Sequence, residues 1–292
     1  MKKVEFILVA LERDGNSRQV VAKAVALARA LGARLELFLG NADYAYAQRR
    51  QYEQGAPARA REACVRESRA YLEELWKSLD VHDLTASMDA ACESPGYEGI
   101  VHRVQQVSPD LLIRGMGESA SGAGRALAAG DWDLVRTCPV PLLLTRGKPW
   151  RERPAIAAAV DLGDGEAPEL TRAILRAAKR IAVDCNGKLD LIYAHRVSVL
   201  TPELIEFDRS ALAVRAREAE VQPAELFVIG GEPAATIPRF AARHAFDLLV
   251  LGALTHRKAL TALVGTLTGQ LIETLDSDVL LVKSPSYQSP VR

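Results

Sequence analysis

The sequence predicts an α/β protein made of two tandem domains, each with a parallel β-sheet that helices cover on both faces. The first observation is the length, because 292 residues is about twice the size of a common domain. The second is that short apolar strand patterns alternate with segments of helical spacing along the chain. Strands joined by helices form such sheets through right-handed crossovers.

The third observation is an internal repeat with an offset of about 140 residues. The segment Asp110–Gly115 (DLLIRG) is echoed by Asp247–Gly252 (DLLVLG), and Leu142–Arg146 lies over Val279–Lys283 at the same offset. This offset is far longer than the roughly 20–50 residues of a solenoid repeat, so it indicates a duplicated domain.

The joint between the two halves is predicted at Gly147–Pro154, where two prolines and several charges interrupt the apolar pattern. We therefore expect the first domain to span residues 1–148 and the second to span residues 154–292. The two apolar last strands are expected to pair with each other, as an intramolecular pseudo-dimer, because an exposed apolar edge favours pairing. Further homodimerisation is left open.

The first half predicts strands and helices in alternation. Val4–Leu11 is a continuous apolar run, which is typical of a buried parallel strand, and Gly32 is placed to end the helix that follows. The predicted strands lie near residues 4–11, 35–39, 84–90, 110–115 and 140–146. The predicted helices lie near residues 20–31, 64–79, 100–107 and 131–137.

The second half repeats this order of elements. Its predicted strands lie near residues 155–161, 188–194, 225–230, 247–252 and 278–283. Its predicted helices lie near residues 170–181, 204–212, 237–241 and 267–272.

Composition excludes several function classes. Lysine plus arginine (37) and aspartate plus glutamate (37) cancel, so no net charge attracts the chain to nucleic acid or to anionic lipid. No apolar run approaches the roughly 18 residues of a membrane span. The four cysteines are scattered, which predicts a reducing, cytoplasmic environment and no disulfide framework. We expect neither nucleic acid nor a membrane as a partner.

Ligands of such sheets bind beyond the carboxyl ends of the strands, and one loop there carries an anion-binding pattern. It runs from Gly252 through Thr255, Arg257 and Lys258 to Gly265-Thr266, after a strand and before a helix. Glycines let backbone N–H groups approach an anion, and the N-terminus of the following helix faces it. The alternative interpretation is a connector in which Gly265 permits a turn and Thr266 caps the helix.

The second candidate residue is Asp161, at the end of a strand otherwise made of alanine, isoleucine and valine. A carboxylate there accepts hydrogen bonds from a ribose or a base. The alternative is a turn residue in the segment DLGDG. The sequence contains no complete motif for a catalytic triad, a P-loop or a metal site, so we assign no catalytic residue and no metal ligand.

These residues together resemble the universal stress proteins, in the tandem-domain form called the E type. Members carry an aspartate after the first strand and a phosphate loop of Gly, two residues, Gly, nine residues, Gly, then Ser or Thr. Asp161, Gly252 and Gly265-Thr266 match this pattern, and Thr255 stands where the second glycine is expected. The side chain of Thr255 predicts weaker nucleotide binding than in an intact motif.

The resemblance implies a flavodoxin-like (Rossmann-like) sheet of strand order 3-2-1-4-5 in each domain and a bacterial role in the stress response. It implies a degenerate first domain, in which Leu11 replaces the acidic residue and Ala128-Ala129 replace Gly-Thr. It implies ATP or another adenine nucleotide, with or without Mg²⁺, as a ligand of the second domain. No cofactor is required.

We therefore expect a non-enzymatic stress protein that binds a nucleotide or another phosphorylated small molecule in its second domain. Two alternatives stay open at this point. One is an interaction scaffold with vestigial pockets, and the other is a slow ATP hydrolase that uses the same loop.

Overall fold

A computed structural model describes most of the chain, in nine segments. They are residues 3–40, 56–79, 81–92, 96–118, 125–127, 129–163, 167–197, 199–253 and 266–291. Contacts divide the chain into two compact units, an N-terminal unit built mainly from residues 4–140 and a C-terminal unit built mainly from residues 141–288.

The N-terminal unit has a parallel sheet in the order β4-β1-β2-β3. Its strands are β1 (Phe6–Leu11), β2 (Arg34–Gly40), β3 (Ala86–Ala91) and β4 (Leu111–Gly115), with a two-stranded ladder of β5 (Gly117–Glu118) and β6 (Arg125–Ala126). Its helices in the described residues are α1 (Ser17–Leu31), α2 (Ala56–Lys77), α3 (Gly96–Val107) and α4 (Ala129–Thr137). Gly32 ends α1 at a φ of +63°, in the left-handed conformation that glycine adopts without strain.

In the described residues, the C-terminal unit contributes six neighbouring strands in the order β10-β9-β8-β11-β12-β7. Its strands are β7 (Leu142–Thr145), β8 (Ala155–Ala159), β9 (Lys188–His195), β10 (Glu225–Gly230), β11 (Leu248–Gly252) and β12 (Asp278–Val282). Its helices in the described residues are α5 (Pro168–Asp184), α6 (Pro202–Glu218), α7 (Pro233–His244) and α8 (Thr266–Thr274). The strands β8 to β12 are parallel to one another.

The edge strand β7 comes from the first sequence repeat but lies in the sheet of the C-terminal unit. It runs antiparallel to β12, with Leu144 opposite Val279 and Leu142 opposite Leu281. All four residues of β7 and all five of β12 are buried. The pairing of the two apolar last strands, which the sequence predicts, is therefore present in this unit.

The core of each unit lies where apolar strands meet the apolar face of a helix. β1 and β11 are buried along their whole lengths, as continuous apolar runs predict for central parallel strands. On α5 the buried face consists of residues at helical spacing, among them Leu170, Ile174 and Ala178.

The aspartates that begin the repeated segments DLLIRG and DLLVLG have a structural role. Asp110, which precedes β4, accepts hydrogen bonds from the backbone N–H groups of Glu5 (2.9 Å) and Phe6 (3.0 Å). Asp247, which precedes β11, accepts one from the N–H of Ala155 at 2.8 Å. Each aspartate thus fixes the start of the first strand of its repeat to the start of the fourth.

A disulfide corrects one expectation from the sequence. Cys64 on α2 is bonded to Cys92, which follows β3, with a Cα–Cα distance of 6.6 Å. The two cysteines are 28 residues apart in the sequence, so no local pattern predicts that they pair. The packing of α2 against β3 brings them together. The expectation of unlinked cysteines is wrong for this pair, whereas Cys138 and Cys185 remain thiols.

The carboxylate of Asp89 on β3 predicts a pH-dependent stability. Burial acts to raise its pKa, but the hydrogen bond from Arg69 on α2 and the charge of Arg103 on α3 hold the pKa below its usual value. A group with a lowered folded-state pKa stabilises the fold above its unfolded pKa of about 3.9 and loses that contribution as the pH falls through the folded value.

We expect Asp89→Asn to destabilise the protein by about 1 kcal/mol at pH 7, because the ion pairs with Arg69 and Arg103 are lost. The difference from the parent should shrink as the pH falls below about 4, where Asp89 of the unfolded chain becomes protonated, and should be lost below the lowered folded-state pKa. Urea unfolding at several pH values between 7 and 2 measures this difference. An equal difference at every pH would contradict the prediction.

Candidate functional site

The two segments that the sequence singles out follow adjacent parallel strands of the C-terminal unit. β8 pairs with β11, with Ile156 opposite Leu248 and Ala158 opposite Val250. Asp161 follows β8 and Gly252 ends β11, so both lie at the carboxyl edge of the sheet. Carboxyl ends of neighbouring strands are the usual place for a ligand in an open α/β sheet.

Asp161 is exposed and forms part of a turn. Its Oδ1 accepts a hydrogen bond from the backbone N–H of Gly163 at 2.9 Å. The turn interpretation of this residue is therefore realised in the structure. The same hydrogen bond fixes the orientation of the carboxylate, which remains exposed to solvent at the end of β8.

Gly252 is buried and packs against α5. A Cβ on this glycine would lie 3.1 Å from Leu170 Cδ2 and 3.3 Å from Ile174 Cδ1. Its carbonyl oxygen accepts a buried hydrogen bond from the Thr268 hydroxyl at 2.9 Å. The glycine thus allows a helix to approach the strand end, and Thr268 fixes the first turn of α8 to that end.

The rest of the predicted anion loop lies largely outside the described residues. Thr255, Arg257, Lys258 and Gly265 belong to the segment 254–265, for which no structure is described. Thr266 is the first residue of α8. Because Thr268 holds the first turn of α8 against Gly252, the N-terminus of this helix lies beside the carboxyl end of β11.

Strand register identifies the corresponding acidic residue of the first repeat. In the first repeat, Phe6 of β1 lies opposite Arg34 of β2, and Ile7 lies opposite Leu111 of β4. In the second repeat, Ala155 of β8 lies opposite Lys188 of β9, and Ile156 lies opposite Leu248 of β11. This places Glu12 at the position of Asp161. The position that the family resemblance assigned to Leu11 was therefore wrong by one residue, because the loops between the strands differ in length in the two repeats.

In the first repeat, a buried arginine occupies the space between these elements. The Nε of Arg114 on β4 donates to Asp131 Oδ1 at 2.7 Å, and its Nη2 donates to the Glu12 carboxylate. The side chains of Arg114 and Asp131 are 6% and 4% exposed. Burial acts to lower the pKa of Arg114, but the two carboxylates outweigh it and raise that pKa above its usual value.

Among the residues that the structure describes, the second repeat has no counterpart of this ion network. The repeat offset places Leu251 at the position of Arg114 and Thr268 at the position of Asp131. Leu251 is 4% exposed, and the Thr268 hydroxyl is bonded to Gly252 instead of a cation. At the carboxyl edge of the sheet, the first repeat therefore carries a network of paired charges. At the same edge, the second repeat carries the exposed carboxylate of Asp161.

The structure also shows a polar cluster that the sequence analysis missed. His195 Nδ1 lies 2.7 Å from Asp208 Oδ2, and the rings of Tyr193 and His195 meet edge to face at 5.7 Å. Burial and the nearby carboxylates of Asp208 and Asp161 raise the pKa of the Tyr193 hydroxyl.

A signal for this cluster was present in the sequence. Tyr193 and His195 are two residues apart at the end of one strand, so they share a face of the sheet. Asp208 stands at helical spacing with the buried Leu212 and Ala216, where an apolar residue is the norm. A buried polar residue on an apolar face indicates a partner.

Two features are absent from the described segments. These segments contain no group of three or more histidine, cysteine, aspartate or glutamate side chains placed to hold a metal ion. None of their helices is long and apolar enough to cross a membrane.

Comparisons with known proteins agree with the fold. The profile of the universal stress protein family matches residues 4–146 and 155–283. Universal stress protein E from Salmonella typhi and its counterpart from Escherichia coli K12 are each 23% identical to this chain over 308 aligned positions, covering 100% of the chain and 98% of the relative.

Solved structures resemble the chain over nearly its full length. A protein of unknown function from Pseudomonas aeruginosa PAO1 is 24% identical, with a TM-score of 0.74, and the match covers 96% of this chain and 93% of the other. A universal stress protein from Archaeoglobus fulgidus is 12% identical, with a TM-score of 0.72, and the match covers 97% and 100% of the two chains.

Proposed function

The chain belongs to the universal stress protein family, and from this premise we propose that its second repeat binds an adenine nucleotide or another phosphorylated small molecule. The observation that carries the proposal is the contrast between the repeats. At the carboxyl edge of the sheet, Arg114 of the first repeat forms a buried ion network. In the second repeat Leu251 stands at the position of Arg114, and the carboxylate of Asp161 is exposed. The protein then acts as a stress-responsive binding protein of the bacterial cytoplasm.

Each part of the proposed site has a physical role. Asp161 accepts hydrogen bonds from the ribose or base of the ligand. The N-terminus of α8 faces the phosphates, which is worth about 0.3–1 kcal/mol at an exposed site. Arg257 or Lys258 adds charge-assisted hydrogen bonds of about 1.5–3 kcal/mol. When Mg²⁺ accompanies the phosphates, it neutralises part of their charge.

We expect calorimetric titration of the full chain with ATP to show one site per chain. Asp161→Ala should weaken binding by roughly 10- to 100-fold, because hydrogen bonds to a charged group are lost. Glu12→Ala, at the equivalent position of the first repeat, is the matched control and should leave the affinity unchanged. Two sites per chain, or equal losses in both variants, would contradict the assignment.

Variants in the loop test the phosphate part of the proposal. Gly265→Val should abolish binding because its side chain blocks the approach of the backbone to an anion. Thr255→Gly should tighten binding for the converse reason. Unchanged affinity in a folded Gly265→Val protein would place the ligand elsewhere.

The same titration, together with an assay of phosphate release, distinguishes the proposed function from the interaction scaffold and from the slow ATP hydrolase. A scaffold with vestigial pockets shows no saturable binding of ATP or of any phosphorylated compound that co-purifies with the chain. A slow hydrolase releases phosphate from bound ATP, and Asp161→Ala removes that release. Binding without release supports the function proposed here.

A further inference from the structure

Helix α2 is attached to the sheet in two different ways along its length. Its C-terminal half carries the two buried side chains Ser68 and Leu72 and the ion pair between Arg69 and Asp89. Residues 59 and 61–67 in its N-terminal half are all exposed or half-buried. The covalent bond from Cys64 to Cys92 lies in this poorly buried half.

The burial of α2 therefore makes the disulfide a main tether of the N-terminal half of the helix. Helices in proteins are held mostly by an apolar face packed against the core, and residues 59 and 61–67 offer no fully buried side chain to such a face. Segments with few buried contacts open locally at low free-energy cost. The attachment of residues 59–67 thus depends on the oxidation state of two sulfur atoms.

We propose that Cys64 and Cys92 form a reversible redox site that reacts with low-molecular-weight disulfides and controls the docking of α2. Such reversibility suits the cytoplasmic setting proposed above, because disulfides in a reducing compartment are usually transient and serve a redox role. The site lies in the first repeat, so it is separate from the ligand site of the second.

The two cysteines differ in a way that assigns their roles. Cys64 is half-buried, whereas Cys92 is 4% exposed. An incoming oxidant therefore reaches Cys64 more readily, and access is one of the factors that set the rate of thiol–disulfide exchange. Cys64 is the attacking residue and Cys92 is the resolving residue.

The reaction balances without any further reactant. The Cys64 thiol loses its proton, and the thiolate attacks one sulfur of the oxidant R–S–S–R, forming a mixed disulfide and releasing the first thiol R–SH once that proton is returned. The Cys92 thiolate then attacks Sγ of Cys64, which forms the intramolecular bond and releases the second R–SH. Two protein thiols are oxidised to one disulfide, and one oxidant disulfide is reduced to two thiols.

The first test uses the full chain reduced and then equilibrated with buffers of glutathione and glutathione disulfide. Alkylation of the remaining thiols followed by peptide mass spectrometry reports which cysteines are linked. We expect a bond between Cys64 and Cys92 that forms as the fraction of glutathione disulfide rises and is lost as it falls. Cys185→Ser, a control at a half-buried thiol away from the pair, should leave this transition unchanged.

The second test follows amide hydrogen exchange in the same two states. Reduction should speed exchange of residues 59–67 by roughly 10-fold or more, and exchange in α1 should stay the same. Cys64→Ser should show the fast exchange under oxidising and reducing conditions alike. The proposal is overturned when the bond does not form with glutathione disulfide, or when residues 59–67 exchange equally fast in both states.

Discussion

Replacing Arg114 with leucine is expected to destabilise the N-terminal unit by about 3–5 kcal/mol. The side chain of Asp131 is only 4% exposed and accepts a hydrogen bond from Arg114 at 2.7 Å. Removing the arginine takes the cation from a buried ion pair, and breaking such a pair at one partner costs far more than replacing both partners together. The loss of the ion pair with Glu12 contributes less to this cost, because half of the Glu12 side chain is exposed to solvent.

The second repeat supplies the matched control for this prediction. Its residues at the two positions are Leu251 and Thr268, so the double variant Arg114→Leu/Asp131→Thr copies a combination that the fold already accommodates. We expect the double variant to recover most of the lost stability, because no buried charge remains. Chemical unfolding of the three proteins measures the difference. A single variant as stable as the parent would show that the ion network does not stabilise this unit.

Replacing Asp278 with alanine is expected to destabilise the C-terminal unit by about 2–4 kcal/mol. This carboxylate is 3% exposed and accepts hydrogen bonds from three groups, one on the last residue of β7 and two in the segment that follows it. They are the Thr145 hydroxyl at 3.1 Å, the Arg146 backbone N–H at 2.8 Å and the Trp150 indole N–H at 2.8 Å. Losing the acceptor of buried donors costs about 1–3 kcal/mol for each donor left unsatisfied.

Two further variants distinguish this anchoring from a general loss of packing. Trp150→Phe keeps the aromatic ring and removes one hydrogen bond, so it should cost about 1 kcal/mol. Asp278→Asn keeps an acceptor for Arg146 and turns an N–H group towards the indole N–H, so its cost should lie between the other two. Urea unfolding with tryptophan fluorescence checks the order. The interpretation fails if Asp278→Ala costs no more than Trp150→Phe.

The sequence predicts the elements well because their patterns are local. The alternation of buried strands with helices at 3.6-residue spacing is a property of short segments, and β1, α5 and β11 appear where those patterns place them. The internal repeat with its offset of about 140 residues predicted the tandem domains. The order of the strands, by contrast, depends on contacts between distant segments and came only with the family resemblance.

The features that the sequence did not predict depend on distant residues or on loop length. The hydrogen bond from Arg114 to Asp131 and the bond between Cys64 and Cys92 join side chains that no local pattern relates. The mismatch between Leu11 and Glu12 arose because a single sequence does not fix loop lengths between repeats. The phosphate loop from Thr255 to Gly265 stays a prediction, since no structure is described for it.

The exchange of β7 into the C-terminal sheet has a consequence for synthesis of the protein. β7 is translated near the middle of the chain, but its antiparallel partner β12 is close to the end. While the ribosome is still making the second repeat, the apolar edge of β7 that will pair with β12 has no native partner, and unpaired apolar edges promote aggregation of nascent chains. The C-terminal sheet is completed only when β12 has emerged, so a chain truncated before Asp278 keeps that edge of β7 exposed.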